Sequence, residues 1–200
     1  MCCLFKNKEH GFSLIELLIA MTLGLIVLGA ISSVFLGQGQ TYNRQEQITD
    51  MVQTARAAMD MISSEIRMAG YNPANAGFNG ITQDSSQLQI QADINGDGNI
   101  INIDKSYDSN EHIVYKYDDQ DSEYQIKRKT GNGYFQPFAA NIESFTFACL
   151  DSDGNAATIT ANIRQIQITI TARTSKIDRA LGDYRRYTLT SLVTPRNLGL

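Results

Sequence analysis

Oxygen-bearing side chains recur at alternate positions in the segment from Asp93 to Asp104. They occupy the first, third and fifth positions of this stretch, a glycine follows at the sixth, and a carboxylate stands at the twelfth. Hard Ca2+ favours carboxylate and carbonyl oxygens in this spacing. The pattern therefore predicts calcium as a candidate cofactor, with the ligands Asp93, Asn95, Asp97, Asn99 and Asp104.

The same residues also fit a polar hairpin turn. Asn95-Gly96 and Asp97-Gly98 are dipeptides that favour tight turns between strands. The twelfth position holds Asp104 rather than a glutamate, whose longer arm supplies the bidentate contact in EF-hands, and the flanks resemble strands rather than helices. The sequence leaves the calcium site and the turn as alternatives.

An enzymatic site has little support in the sequence. The two histidines are His10 and His112, and His112 lies in a strand-like pattern. A nucleophile would therefore have few bases to pair with. Cys149 follows an alternating apolar pattern and fits a small core residue better than a nucleophile. We expect that the protein is not an enzyme.

The charge distribution argues against a nucleic-acid partner. The formal net charge is -4 at pH 7, and the Lys and Arg residues form no basic patch interleaved with aromatic residues. Binding to nucleic acid depends on such a patch, because it is dominated by contacts with phosphates.

One uninterrupted apolar run, residues 12–36, predicts a membrane-spanning helix. At about 1.5 Å per residue it is long enough to cross a hydrocarbon layer of about 30 Å. Glu16 is the only charged residue in the run, and Lys6 and Lys8 precede it. Because positive residues favour the cytoplasmic side, we expect the chain beyond Gln38 to lie outside the cytoplasm. A secretory signal peptide fits less well, since its apolar core is usually about 7 to 15 residues.

The helical pattern continues past the apolar run. Apolar residues recur at spacings of three and four and form one stripe. Gly70 and Pro73 then supply a helix stop. We therefore expect one long helix from Phe12 to Ala69. The stripe residues are Ile48, Met51, Val52, Ala55, Met59, Ile62, Ile66 and Ala69.

After Ile81 the apolar period changes to two, which is typical of strands. Ile166, Ile168 and Ile170 alternate with polar residues and give the clearest case. The predicted fold class is α+β, in which a long N-terminal helix packs on an antiparallel, β-rich globular domain. The predicted strands lie near 88–91, 112–117, 124–127, 144–147, 163–171 and 187–193.

The segment KNKEHGFSLIELLIAM resembles the N-terminal signal of type IV prepilins and of type II secretion pseudopilins. The resemblance implies that prepilin peptidase cleaves between Gly11 and Phe12 and that the new amine of Phe12 is N-methylated. A small residue such as Gly11 suits the position before the cut, and cleavage there removes the polar leader but retains the apolar helix. The implied domains are a leader over 1–11, a membrane and assembly helix over 12–37, its amphipathic continuation over 38–70, and a globular domain over 71–200.

The resemblance also implies a role for Glu16. An ionised carboxylate within a membrane is costly and usually has a partner. In prepilins that partner is the N-terminal amine of an adjacent subunit. Without the resemblance, Glu16 could instead reach water at the interface, helped by the positive end of the helix.

A second, more diffuse resemblance is to PilW-like minor pilins and the J-type pseudopilins of type II secretion. The segments that carry it are SEIRMAGYNP, ESFTFACLDSDGN, RQIQITIT and VTPRNL. Major pilins commonly have a helix proline where this chain has Ser33, and often a C-terminal disulfide, which Cys149 alone does not form. The resemblance therefore implies a minor subunit that primes or caps a pilus.

The expected partners are prepilin peptidase, other minor and major pilins, the inner-membrane assembly platform and the membrane itself. We expect a single-pass inner-membrane protein with a periplasmic C-terminal domain, which later enters a pilus at the cell surface. Two alternatives stay open. The chain could be a minor pseudopilin of type II secretion, or an anchored module that binds calcium or another ligand and does not polymerise.

Overall fold

The computed structural model describes residues 11–84, 86–101, 104–120, 124–157 and 159–198. Contacts divide the chain into two units, with the boundary between Gln45 and Glu46. The first unit contributes the N-terminal part of a long helix, and the second contains the rest of that helix and the sheets.

Helix α1 spans Leu14–Met68 and comprises 55 residues, close to the extent that the sequence predicts. No proline interrupts it, because the first proline in the chain is Pro73. In the first unit every described residue of the helix is exposed. An 18-residue window near the N-terminus is long and apolar enough to cross a membrane by length and composition.

The part of α1 in the second unit buries one stripe of side chains. Ala55, Ile62 and Ile66 are fully buried, whereas Ile48 and Val52 are only partly buried. The stripe follows the spacing of three and four that the sequence predicts. It includes two small residues that the sequence analysis did not count. The buried residues of the helix are Met51, Ala55, Ala58, Met59, Ile62, Ser63 and Ile66.

The first sheet has five antiparallel strands in the order of the chain. It begins soon after α1 and contains the strand predicted near 112–117. Its first and last strands are not among the predicted ones, since each has only four residues, and the last includes Pro137, a residue confined to edge strands and bulges. The strands are β1 Ile81–Asp84, β2 Gln87–Gln91, β3 His112–Asp118, β4 Gln125–Thr130 and β5 Gln136–Ala139.

The second sheet has three antiparallel strands, of which the middle one shows the clearest alternation. Ile166, Ile168 and Ile170 are fully buried, while the residues between them face outward or are half-buried. Buried residues of both sheets form one core cluster with the stripe of α1. This confirms the predicted α+β fold. The strands are β6 Ile142–Leu150, β7 Gln165–Arg173 and β8 Arg186–Val193.

Helix α1 ends where two glycines approach closely. Gly70 has a φ of 76°, a left-handed conformation that suits glycine at a helix end. A Cβ on Gly80 would lie 2.4 Å from the backbone nitrogen of Gly70. The backbone N–H of Gly70 donates to the carbonyl oxygen of Gln91 at 2.9 Å, so the helix end is attached to the end of β2.

Candidate functional site

The residues around the predicted cleavage bond lie just before α1 and are exposed. Gly11, Phe12 and Ser13 precede the first helical residue, and Phe12 is 91% exposed. A Cβ placed on Gly11 would meet no atom within 4 Å. Among the residues that the structure describes, nothing covers the Gly11-Phe12 bond.

Ser13 and Glu16 form reciprocal hydrogen bonds at the start of α1. The backbone N–H of Ser13 donates to Glu16 Oε2 at 2.9 Å, and the backbone N–H of Glu16 donates to Ser13 Oγ at 3.3 Å. This arrangement is a capping box, which satisfies two backbone donors that the helix leaves unpaired. The Ser-x-x-Glu spacing is a local signal for such a box, in addition to the charge of Glu16.

Within the capping box, the carboxylate of Glu16 can still bind a cation. Its carboxylate is exposed, and Oε1 accepts no hydrogen bond from the described residues. The positive end of the helix dipole and the N–H of Ser13 both favour the ionised carboxylate. The geometry therefore presents one negative charge, held in place from one side, at the beginning of an apolar helix.

Two hydroxyl groups within the apolar run, those of Thr22 and Ser33, donate hydrogen bonds inside their own helix. Thr22 Oγ1 donates to the carbonyl oxygen of Ile19 at 2.8 Å, and Ser33 Oγ donates to that of Ala30 at 2.8 Å. Such bonds lower the cost of placing a hydroxyl in an apolar medium. Large apolar side chains of the same segment are exposed, as Leu25 and Phe35 illustrate at 69% and 76%.

The predicted calcium loop follows β2 and is organised around Asp93. This residue is fully buried. Its Oδ1 accepts the backbone N–H of Gly96 at 2.8 Å, and its Oδ2 accepts that of Gly98 at 3.0 Å. Both glycines have left-handed φ values, 78° and 77°, which a residue with a side chain rarely adopts. The chain therefore curls around the carboxylate of Asp93.

The alternate polar residues of the loop stabilise consecutive turns. Asn95 Oδ1 accepts the backbone N–H of Asp97 at 2.8 Å, and Asp97 Oδ1 accepts that of Asn99 at 2.7 Å. These side chains are exposed. The spacing of two that suggested ligands thus also builds the turn, as expected for Asn and Asp.

Glu111 joins this loop, and Asp104 does not. Carboxylate oxygens of Asp93, Asp97 and Glu111 lie within 4.8 Å of one another. Glu111 Oε1 accepts the backbone N–H groups of Ile94 and Asn95 at 2.8 and 2.9 Å. The sequence pattern did not predict Glu111, which lies beyond the twelve-residue loop.

Asp104 is engaged locally instead. Hydrogen bonds from the side chain and the backbone of Ser106 lower the pKa of Asp104, and the backbone N–H of Ser106 lies 2.9 Å from Asp104 Oδ1. Asp104 is exposed and is not one of the three grouped carboxylates. Of the predicted carboxylate ligands, the structure therefore groups Asp93 and Asp97 but not Asp104.

His112 and Cys149, for which the sequence offers no catalytic partner, are both buried. His112 stacks on Tyr107 with a centroid distance of 3.9 Å, and neither of its ring nitrogens has a partner among the described residues. Burial and the charge of Lys129 lower the pKa of His112. Cys149 lies in the core, and burial raises the pKa of its thiol to about 11. A thiol in that state is a poor nucleophile at neutral pH.

A polar network that no local sequence pattern predicts connects α1 to the first sheet. The hydroxyl of Tyr115 on β3 donates to Glu65 Oε2 at 2.5 Å. Arg128 on β4 donates from Nη2 to Glu65 Oε1 at 2.7 Å. Tyr115 is fully buried, and burial together with the charge of Glu65 raises its pKa well above the usual range. The network is a structural contact between helix and sheet.

Two family models match the sequence. The prokaryotic N-terminal methylation motif matches residues 6–32. The family described as prepilin peptidase-dependent protein B matches residues 44–194, well over half of the chain. No curated protein gave a significant match. The two models together cover the exposed N-terminal segment and nearly all of the sheet-containing unit.

Proposed function

Because the chain belongs to the prepilin peptidase-dependent protein B family and carries the N-terminal methylation motif, it is a type IV prepilin-like minor pilin, and we propose that it primes or caps pilus assembly. The observation that carries the proposal is the N-terminal arrangement itself. An exposed Gly11-Phe12 bond directly precedes a capped helix, and the apolar side chains in the N-terminal part of this helix are exposed. Cleavage there would yield a subunit that remains in the membrane and has a new terminal amine.

Processing would take place at Gly11-Phe12. Hydrolysis of this amide by prepilin peptidase leaves a carboxylate on Gly11 and an ammonium group on Phe12. After losing a proton to solvent, this amine attacks the methyl group of an electrophilic donor, the donor departs with the electron pair of the broken bond, and the methylated amine again carries a positive charge. The open surroundings of Gly11 support cleavage at this bond, because a peptidase needs access to both sides of the bond.

Glu16 would pair with the amine of Phe12 on a neighbouring subunit. Its Oε1 accepts no bond from the described residues, and its Oε2 is held by the N–H of Ser13. In a filament the apolar side chains around it would leave lipid and pack against neighbouring helices. A charge pair in such surroundings favours one alignment of the two helices, since misalignment leaves the carboxylate unpaired.

Two features of the chain support its assignment as a minor rather than a major subunit. Ser33 stands where the resemblance leads us to expect a helix proline in a major pilin, and Cys149 is a free, buried thiol. The proposal accordingly includes contacts with major and minor pilins and with the inner-membrane assembly platform. The sheet-containing unit would face the periplasm and then the cell surface.

A minor pseudopilin of type II secretion is the second candidate, since the same processing signal serves both systems. The resemblance to J-type pseudopilins favours it, and the resemblance to PilW-like pilins favours the pilus. Deletion of the gene separates them. Loss of surface filaments supports a pilus subunit, whereas loss of exoprotein secretion with filaments intact supports a pseudopilin. An anchored module that does not polymerise would leave both intact. The matching families point to a structural protein rather than an enzyme.

The proposal is tested by complementing a deletion strain with three forms of the chain. The natural form should restore filaments, and mass spectrometry should find a methylated Phe12 at its N-terminus. Glu16→Gln should be processed and methylated but should restore few filaments. Glu46→Gln, which changes another exposed carboxylate of the same helix, should behave as the natural form. Full restoration by Glu16→Gln, or an uncleaved natural chain, contradicts the proposal.

A further inference from the structure

We propose that Asp93, Asp97 and Glu111 bind a calcium ion, with Glu111 as the carboxylate that completes the site. The proposal does not depend on the role of the chain in a pilus. It rests on the grouping of these carboxylates within 4.8 Å and on the state of Glu111. The site therefore differs from the twelve-residue pattern in the sequence, because it uses Glu111 in place of Asp104.

Glu111 is the observation that points to a ligand. The residue is only 2% exposed, and its Oε2 has no hydrogen-bond partner among the described residues. Its other oxygen, Oε1, is already occupied by two backbone N–H groups. A buried carboxylate oxygen without a partner is costly, and in proteins such oxygens are usually paired or coordinate a metal.

The negative charge of the three carboxylates also favours a bound cation. Three carboxylates lie together, one of them fully buried, and no Lys or Arg within the described ranges forms an ion pair with any of them. Like charges at this separation repel one another, especially where water is excluded. A divalent cation would neutralise most of that charge.

The donor atoms favour a hard cation. All of them are oxygens, which suit Ca2+, Mg2+ and Mn2+ better than metals that prefer thiolate or imidazole. The oxygens of Asp93 each accept one backbone N–H, and because a carboxylate oxygen has two lone pairs, each keeps one for a cation. Asn95, whose amide oxygen accepts the N–H of Asp97, is exposed. Ca2+ tolerates irregular coordination geometry, whereas Mg2+ demands a near-ideal octahedron.

A bound ion would stabilise the region where α1 ends. The backbone N–H of Asp93 donates to the carbonyl oxygen of Tyr71 at 2.8 Å, so the loop is attached to the segment after the helix. A Cβ on Gly98 would lie 3.1 Å from the Cβ of Ala74, which shows how closely the two segments pack. Glu111 lies directly before β3. Calcium would thus connect the helix end, the loop and the first sheet.

Calorimetry and thermal unfolding of the full chain in detergent micelles test the site. After treatment with EDTA and dialysis, the protein is titrated with CaCl2 and, separately, with MgCl2. We expect calcium to bind with a dissociation constant of about 0.1 to 1 mM, the range of extracellular calcium modules, and to raise the unfolding temperature by several degrees. We expect much weaker binding of magnesium. Absence of both calcium heat and a calcium-dependent shift overturns the proposal.

Three variants identify the ligands. Asp97→Asn changes an exposed residue and keeps a side-chain oxygen that can accept the N–H of Asn99, and Glu111→Gln changes the residue that distinguishes this site from the sequence pattern. Each should weaken calcium binding about tenfold or more, because ligand charge sets affinity. Asp104→Asn should bind calcium as the natural chain does. If Asp104→Asn loses binding while Glu111→Gln retains it, the assignment of Glu111 is wrong.

A matched control distinguishes calcium binding at the proposed site from calcium binding at any acidic turn. Asp151 also organises a turn, since its Oδ1 accepts the N–H groups of Asp153 and Asn155. Asp151→Asn should leave calcium binding unchanged. Equal weakening by Asp151→Asn and Asp97→Asn would indicate dispersed surface binding and would overturn the proposal. Circular dichroism of Glu111→Gln in EDTA, matching that of the natural chain, confirms that its loss of binding is not a loss of fold.

Discussion

Glu16 accepts a hydrogen bond from the backbone N–H of Ser13, so the one charge of the apolar segment is attached to the residue next to Phe12. The isolated subunit therefore already holds its carboxylate close to the end that cleavage would expose. Pairing with a neighbour would build on this arrangement rather than create it.

Substitution Ser13→Ala should loosen the start of α1. It removes the hydroxyl that accepts the N–H of Glu16 but keeps the backbone N–H that holds Glu16. We expect amide hydrogen exchange at Glu16 to become several-fold faster in micelles, because one half of the capping box is lost. Ser33→Ala is the control, since that hydroxyl bonds only to the carbonyl oxygen of Ala30. Unchanged exchange at Glu16 would show that the hydroxyl does not cap the helix in solution.

Substitution Gly11→Val should block processing nearly completely. The structure shows open space around Gly11, so the larger side chain does not disturb the fold, and any effect arises at the peptidase. Immunoblots of membranes should show only the longer form, and mass spectrometry should find no methylated Phe12. Gly29→Ala, which is equally unhindered, should be processed normally. Cleavage of Gly11→Val at the natural rate would contradict the assigned bond.

Substitution Tyr115→Phe should destabilise the sheet-containing unit by about 1 to 2 kcal/mol. It removes the hydroxyl that donates to Glu65 while the aromatic ring, packed edge-on against Phe138, remains. Denaturant unfolding in micelles measures the change in free energy. Tyr134→Phe, at a position 88% exposed, should leave it unchanged. Equal stabilities of Tyr115→Phe and the natural chain would show that this hydrogen bond contributes nothing net.

Cys149 should make stability depend on pH in the alkaline range. Burial raises the pKa of its thiol from 9.0 to about 11 in the folded chain. Since the folded pKa is the higher one, the contribution is complete below pH 9 and is lost as pH rises towards 11. The stability difference between the natural chain and Cys149→Ala, measured with reductant present, should therefore shrink over this interval. A difference that stays constant from pH 8 to 11 contradicts the assigned burial effect.

Local sequence patterns were enough to predict the helix, most strands and the α+β class. The spacing of Ile62 and Ile66 and the alternation around Ile168 depend only on near neighbours in the chain. Strand β5 was missed because Pro137 weakens such a pattern. The capping box at Ser13 could have been predicted, because its spacing is local.

The contacts between residues far apart in the sequence could not be predicted from local patterns. Glu111 reaches Asp93 because β2 pairs with β3 in a register that sets Gln91 opposite His112. No spacing rule gives that register, and a shift of one residue would turn the side chains to the other face. Likewise, Glu65 meets Tyr115 and Arg128 only after helix and sheet have packed. Features that depend on neighbours in the sequence could be predicted, whereas contacts between residues far apart in the sequence could not.

The distribution of charge along α1 has a consequence for errors in assembly. Between Phe12 and Asn43 Glu16 is the only side chain that is charged at neutral pH, and the hydroxyls of Thr22 and Ser33 donate within their own helix. Sliding two such segments past each other therefore changes the surroundings of one charged side chain. In the proposed filament a slipped neighbour would leave the carboxylate of Glu16 unpaired, so this one residue would select against misaligned subunits.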